Sequence, residues 1–180
     1  MIGIAAVGRR IHHPTANTIY LQDTTLDTEL SPNTWTHTRK TNPGGELDCL
    51  AIDDQGRLLT IEVKPADEMG TGAWAPAQAM IYAQLFRLWI RRNPELARST
   101  LQTMADQRAK LGLGAPATLS PELPVVPVVA FGAPTADQAH VHQQAVSRAK
   151  LVADALRRGS FGAPLIEWLR VEADGTAKPL

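Results

Sequence analysis

A chain of 180 residues, 44% hydrophobic and 20% charged, has the size of one domain and the composition of a folded globular protein, not a disordered one. Its 18 basic and 18 acidic residues cancel, which excludes a domain that holds nucleic acid by net charge alone. A single cysteine, Cys49, excludes an internal disulfide framework, and no stretch approaches the roughly 20 apolar residues of a membrane span. Met1 to Arg10 has too short an apolar part, with its arginines after it, for a signal peptide. The expectation is a cytoplasmic protein with no membrane contact.

In chain order, residues 1 to 22 are mixed in pattern, with a strand predicted at Thr18 to Leu21. Asp23 to Asn42 is polar and turn-rich around Ser31-Pro32-Asn33. Two apolar segments follow, the first carrying Glu46-Leu47-Asp48 and the second Ile61-Glu62-Val63-Lys64. Between them Asp53-Asp54-Gln55-Gly56-Arg57 supplies the polar residues and the glycine of a hairpin loop. Strand alternation sends Glu62 and Lys64 to one face and Ile61 and Val63 to the other. In the first segment Leu47, Cys49 and Ala51 are expected to share one face, leaving Glu46 and Asp48 on the opposite one. Pairing Ile52 with Leu58 sets Asp48 opposite Glu62 and Glu46 opposite Lys64, with Cβ atoms about 5 Å apart. Two carboxylates that close repel unless a cation lies with them. A hard divalent ion suits the place, because Mg²⁺ takes one or two carboxylates together with water and phosphate oxygens. The lysine is then free to orient the attacking water or to neutralise charge building on a phosphate.

Ala75 to Arg92 reads as a helix, with Met80, Ile81, Leu85, Leu88 and Trp89 at helical spacing, and Asn93-Pro94 breaks it. Glu95 to Leu111 restarts a helix, and Gly112 to Pro124 is a surface loop. Val125 to Phe131 is an apolar run suited to a buried strand, with Pro127 predicting an edge position or a bulge. Thr135 is expected to cap a helix that runs through Arg158 and closes at Gly159. Leu165 to Glu172 gives a final strand. Together these elements predict an α/β fold, a central mixed β-sheet flanked by helices, in one domain over residues 1 to 180.

Glu46-Leu47-Asp48, the hairpin and Glu62-Val63-Lys64 resemble the core of the PD-(D/E)XK nuclease superfamily, the restriction-endonuclease-like fold. Gln78-Ala79-Met80-Ile81-Tyr82 resembles the Gln-x-x-x-Tyr motif of its RecB-like branch, and residues four apart share a helix face. The resemblance covers residues 44 to 92, about a quarter of the chain, and departs from the pattern in having Leu47 where the family has proline. It implies a Mg²⁺- or Mn²⁺-dependent nuclease hydrolysing phosphodiester bonds, with DNA the expected substrate. Asp48 and Glu62 would be metal ligands together with the backbone carbonyl of Val63, Lys64 the catalytic lysine, and Gln78 and Tyr82 the residues that position substrate. The family often takes a further acid from an upstream helix, where Asp27 and Glu29 are available.

Each of these features also has a plainer reading. Glu-x-Lys is ordinary on a half-solvated strand, Gln and Tyr four apart occur in many helices, and surface acid–lysine pairs contribute little. A nucleic-acid-binding or partner-binding module that keeps the fold without cutting is the alternative, as is a subunit of a larger DNA-processing complex. Arg39 and Lys40, Arg87, Arg91 and Arg92, and Arg148, Lys150, Arg157 and Arg158 read first as solvated faces or helix-end charges. His12-His13 forms no metal pattern, and His140 and His142 diverge on a helix, against a shared zinc. Cys49 reads as a small core residue. Asp67 and Glu68 are expected to face solvent, and Met69-Gly70-Thr71-Gly72 lacks the ending of a phosphate loop. Trp74 is either a packing anchor or a surface on which a base stacks.

Overall fold

One buried carboxylate organises the first turn. In the computed structural model, which describes residues 47–68, 71–159 and 164–180, Asp53 Oδ1 accepts hydrogen bonds from the amides of Gln55 (3.0 Å) and Arg57 (2.8 Å). Its Oδ2 pairs with Arg57 Nε at 2.6 Å, and Arg57 reaches on to Glu167 at 2.8 Å. Gly56 takes a positive φ of 72°, as a tight hairpin loop demands. The turn joins β1 (Cys49–Ile52) to β2 (Leu58–Lys64) in antiparallel register, from Ile52 opposite Leu58 to Cys49 opposite Ile61. That is the predicted register.

After β2 come a short 3₁₀ turn (Thr71–Trp74), α1 (Ala75–Arg92) and α2 (Pro94–Lys110), with the break at Asn93-Pro94 as expected. β3 (Val125–Gly132), α3 (Ala139–Arg158), β4 (Glu167–Val171) and β5 (Ala177–Pro179) complete the described elements. They form a mixed five-stranded open sheet in the order β1-β2-β3-β4-β5, parallel at β2–β3 and β3–β4 and antiparallel at both ends. This is an α/β fold with flanking helices. Among the described residues no helix is long and apolar enough to cross a membrane. The expected strand at Thr18 to Leu21, the polar stretch Asp23 to Asn42, and Glu46, Asp27, Glu29, Arg39, Lys40 and His12-His13 lie outside the described residues.

Small side chains let α1 lie close on the sheet. Ala75, Ala79 and Ala83 are fully buried, and the Thr60 hydroxyl on β2 donates to the Ala79 carbonyl at 3.1 Å. One core layer joins Leu58, Tyr82, Phe86, Trp89 and Leu101, and another joins Ala79, Val129, Phe131, Ala145 and Ala149 beneath α3. The opposite sheet face buries Cys49, Leu59, Ile61, Val128 and Leu169.

Four expectations need correction. β3 is a central strand, paired on both sides, and runs through Pro127 without a bulge. The amide of Leu58 bonds the Pro124 carbonyl, so even-numbered β3 residues direct their backbone groups to β2 and Pro127 faces the β4 side. There β4 begins opposite Val128, and no ladder bond is lost to the missing N–H. Thr135 does not cap α3. Its hydroxyl engages Asp137 and Gln138 side chains in a separate turn, and the helix starts at Ala139. Leu47 does not share a cluster with Cys49 and Ala51, because Asp48 forms a bend that ends the strict alternation at Cys49. The short strand β5, formed after the Gly175 turn, was not expected, since three residues ending in proline carry no strand signal.

The hairpin loop is backed directly by the chain at Thr118–Ser120: a Cβ on Gly56 would sit 2.3 Å from the Ser120 amide nitrogen and 2.5 Å from the Thr118 carbonyl oxygen. Gly56→Ala is expected to cost about 2–4 kcal/mol through backbone strain and overpacking, lowering the thermal midpoint by at least about 5 °C. Calorimetry of the variant checks this. An unchanged midpoint would mean that the loop is not held against Ser120.

Candidate active site

Strand register and one hydrogen bond bring three charged side chains together. Asp48 lies one step beyond the last paired residue of β1, where continued register places it opposite Glu62. Its Oδ2 accepts the amide proton of Val63 at 2.9 Å, which fixes the carboxylate against β2. Lys64 Nζ stands 3.2 Å from Glu62 Oε2 and 3.9 Å from Asp48 Oδ2. Glu62 and Lys64 share a strand face, as alternation requires. The site is graded in depth: the side chains of Glu62, Lys64 and Asp48 are 1%, 12% and 28% exposed.

The electrostatics follow from this depth. Burial, and then the negative charge of Asp48, push the Glu62 carboxyl up to about 8, and the Lys64 ammonium opposes them without prevailing. Near neutral pH the isolated protein therefore keeps Glu62 largely protonated. Glu62 Oε1 is buried and receives no hydrogen bond from a donor among the described residues, while the carboxyl lies within hydrogen-bonding reach of Asp48, which also favours its proton. A buried acceptor left this way is costly unless something else satisfies it.

A divalent cation meets that test. It would replace the proton on Glu62, relieve the repulsion from Asp48 and satisfy Oε1. Backbone geometry adds a third donor. Because the Val63 amide points to Asp48, its carbonyl points to the same side of β2, away from the β3 ladder. Two carboxylates and one carbonyl suit Mg²⁺ or Mn²⁺, which take the rest of their coordination from water and phosphate. Among the described residues no group of three or more His, Cys, Asp or Glu side chains stands ready for a metal. Among the described residues, the groups that could hold the ion would be these two acids and the Val63 carbonyl.

The helix residues divide. Tyr82 is buried in the cluster that contains Leu47, next to Asp48. Gln78 lies one turn nearer the start of α1, half-buried, and its side-chain oxygen is buried with no partner among the described residues. Other candidates are structural. His142 is buried, with Nδ1 3.1 Å from the Ala66 carbonyl oxygen and its ring edge-on to Phe131, while His140 is exposed beside Gln144. His142 thereby anchors the loop that leaves Lys64. Asp67 is exposed and accepts from Gln138, whereas Glu68 is half-buried, contrary to expectation. Cys49 is buried, and burial pushes its thiol up, away from nucleophile chemistry. Arg87 donates to the Val125 carbonyl at 2.6 Å. A separate apolar groove beside β1, lined by Leu50, Ile52, Leu101 and Met104, includes none of the three charged residues. Thr60 escaped the sequence reading; a hydroxyl amid a buried apolar strand was the available signal.

Comparison with protein-family models, with curated proteins and with solved structures finds no match for this chain.

The raised Glu62 value has a definite sign. A carboxyl that keeps its proton to about pH 8 when folded, and loses it near 4.5 when unfolded, favours the fold at low pH. That contribution is complete below pH 4.5 and is lost as pH rises from 4.5 to about 8. Denaturant unfolding without divalent ions is expected to show this loss in the wild type and not in Glu62→Gln. Equal pH slopes in the two proteins would place Glu62 in an ordinary solvated environment.

Proposed function

We propose that this chain is a metal-dependent nuclease of the restriction-endonuclease-like fold, acting on phosphodiester bonds in DNA. The observation that carries the reading is the contact set of Asp48, Glu62 and Lys64, with a buried Glu62 oxygen that no donor among the described residues reaches. A surface ion pair needs none of this. It would be solvated, and it would not bury an acid against a second acid at a cost in stability.

The sheet supports the same reading. A mixed sheet flanked by helices, with Asp48 and Glu62-Val63-Lys64 on its antiparallel hairpin, is compatible with what the resemblance implies. Asp48, Glu62 and the Val63 carbonyl would hold Mg²⁺ or Mn²⁺. The ion supplies Lewis acidity, making water acidic enough to attack at neutral pH and polarising the phosphate. Lys64, fixed between both carboxylates, holds a positive charge where the phosphate gains negative charge. Asp48 stays oriented by the Val63 amide throughout. Gln78, whose amide oxygen is buried without a partner among the described residues, would help position substrate by the resemblance, while Tyr82 supports the wall beside Leu47.

Incubating the protein with labelled oligonucleotides and Mg²⁺ or Mn²⁺ tests the proposal. Cleavage is expected in the wild type, with losses of at least about 10²-fold in Asp48→Asn, Glu62→Gln and Lys64→Ala. Gln78→Ala is expected to lose less, chiefly in KM. A folded wild-type protein that cuts neither DNA nor RNA would favour the non-catalytic binding module instead.

A further inference from the structure

We infer that Trp74 is a stacking platform for an unpaired base, so that the strand delivered to Glu62 and Lys64 is single-stranded. This rests on the nuclease reading above and adds to it a substrate class and a specificity residue. Trp74 is 64% exposed, although an indole is among the side chains that gain most from burial. Its neighbours are not exposed in the same way: Gly72 and Ala75 are both buried. The ring is therefore held outward by a turn that is itself packed.

The turn is tied to the active end of the sheet. A Cβ on Gly72 would meet the Phe131 ring at 3.4 Å, and Phe131 is the cross-strand partner of Lys64. The turn also packs on α3, and Pro76 stiffens the chain at the start of α1. Trp74 thus stands at the end of the parallel strands where Glu62 and Lys64 lie, which is where open α/β sheets receive ligands.

Two further observations favour an unpaired strand. Glu62 is almost fully buried and Lys64 only 12% exposed, and a flexible single strand conforms to groups set below the surface more readily than a rigid duplex. The chain is also neutral and places two carboxylates at the site, so phosphate attraction is weak and base stacking is the available source of affinity. A duplex keeps its base faces stacked inside and offers none to an indole.

Fluorescence anisotropy on the Glu62→Gln protein, without divalent ions, reads binding apart from cleavage. The probes are labelled oligo(dT), oligo(U), a duplex of equal length and an abasic strand. The expected result is at least ten-fold tighter binding of a single strand than of duplex, the tighter of oligo(dT) and oligo(U) identifying the sugar. Adding Trp74→Ala is expected to weaken that binding about ten-fold, Trp74→Phe to weaken it less, and neither to alter abasic-strand binding. Duplex bound as tightly as single strand, or an affinity unmoved by Trp74→Ala, would overturn the inference. Wild-type cleavage assays separate the two claims. Cleavage with a neutral Trp74 overturns only the stacking role, whereas a folded protein that neither binds nor cuts overturns the nuclease reading with it.

Discussion

The hydrogen bond from the Val63 amide to the Asp48 carboxylate is the contact on which the proposed site depends. It holds the start of β1 against the end of β2 at the point where regular strand geometry gives way to a bend. Without it Asp48 would swing toward solvent, and Glu62 would lose the neighbour that, after burial, does most to raise its proton affinity. One pair, Lys64 with Glu62, and a lone aspartate would then remain. With it, an aspartate, a glutamate and a lysine occupy one spot although only Glu62 and Lys64 are close in sequence.

The remainder of the fold fixes that spot from behind. Thr60, two residues before Glu62 on the same face, binds the Ala79 carbonyl and seats α1 on β2. The alanines of α1 leave room for this close approach, and Tyr82 closes the wall beside Leu47. On the other flank Phe131 and His142 tie β3 and α3 to the loop that follows Lys64. An acidic pair in the interior is costly by itself. That cost is what the proposed divalent ion would offset.

Much of this was legible in the sequence because the strand period is short and unforgiving. Pairing Ile52 with Leu58 across the Gly56 loop is the observed register, and continuing it places Asp48 against Glu62. The bounds of α1 were equally legible, since Trp74-Ala75-Pro76 opens it and Asn93-Pro94 closes it. What failed had long-range causes. Pro127 looked like an edge signal, but its place in the sheet depends on where β4 begins, some forty residues later along the chain. Thr135 has the chemistry of a helix cap but spends it on Asp137 and Gln138. The depth of Glu62 and the outward set of Trp74 are properties of packing, which no local pattern reports.

The central claim is that Asp48 and Glu62 form one divalent-metal site. Calorimetric titration of Mn²⁺ into the wild type and Glu62→Ala near pH 7, in two buffers of different ionisation enthalpy, tests it most directly. The account predicts one site in the wild type, a buffer-dependent heat as the proton leaves Glu62, and loss of both in the variant. Equal Mn²⁺ binding by the two folded proteins, or none by either, would contradict it.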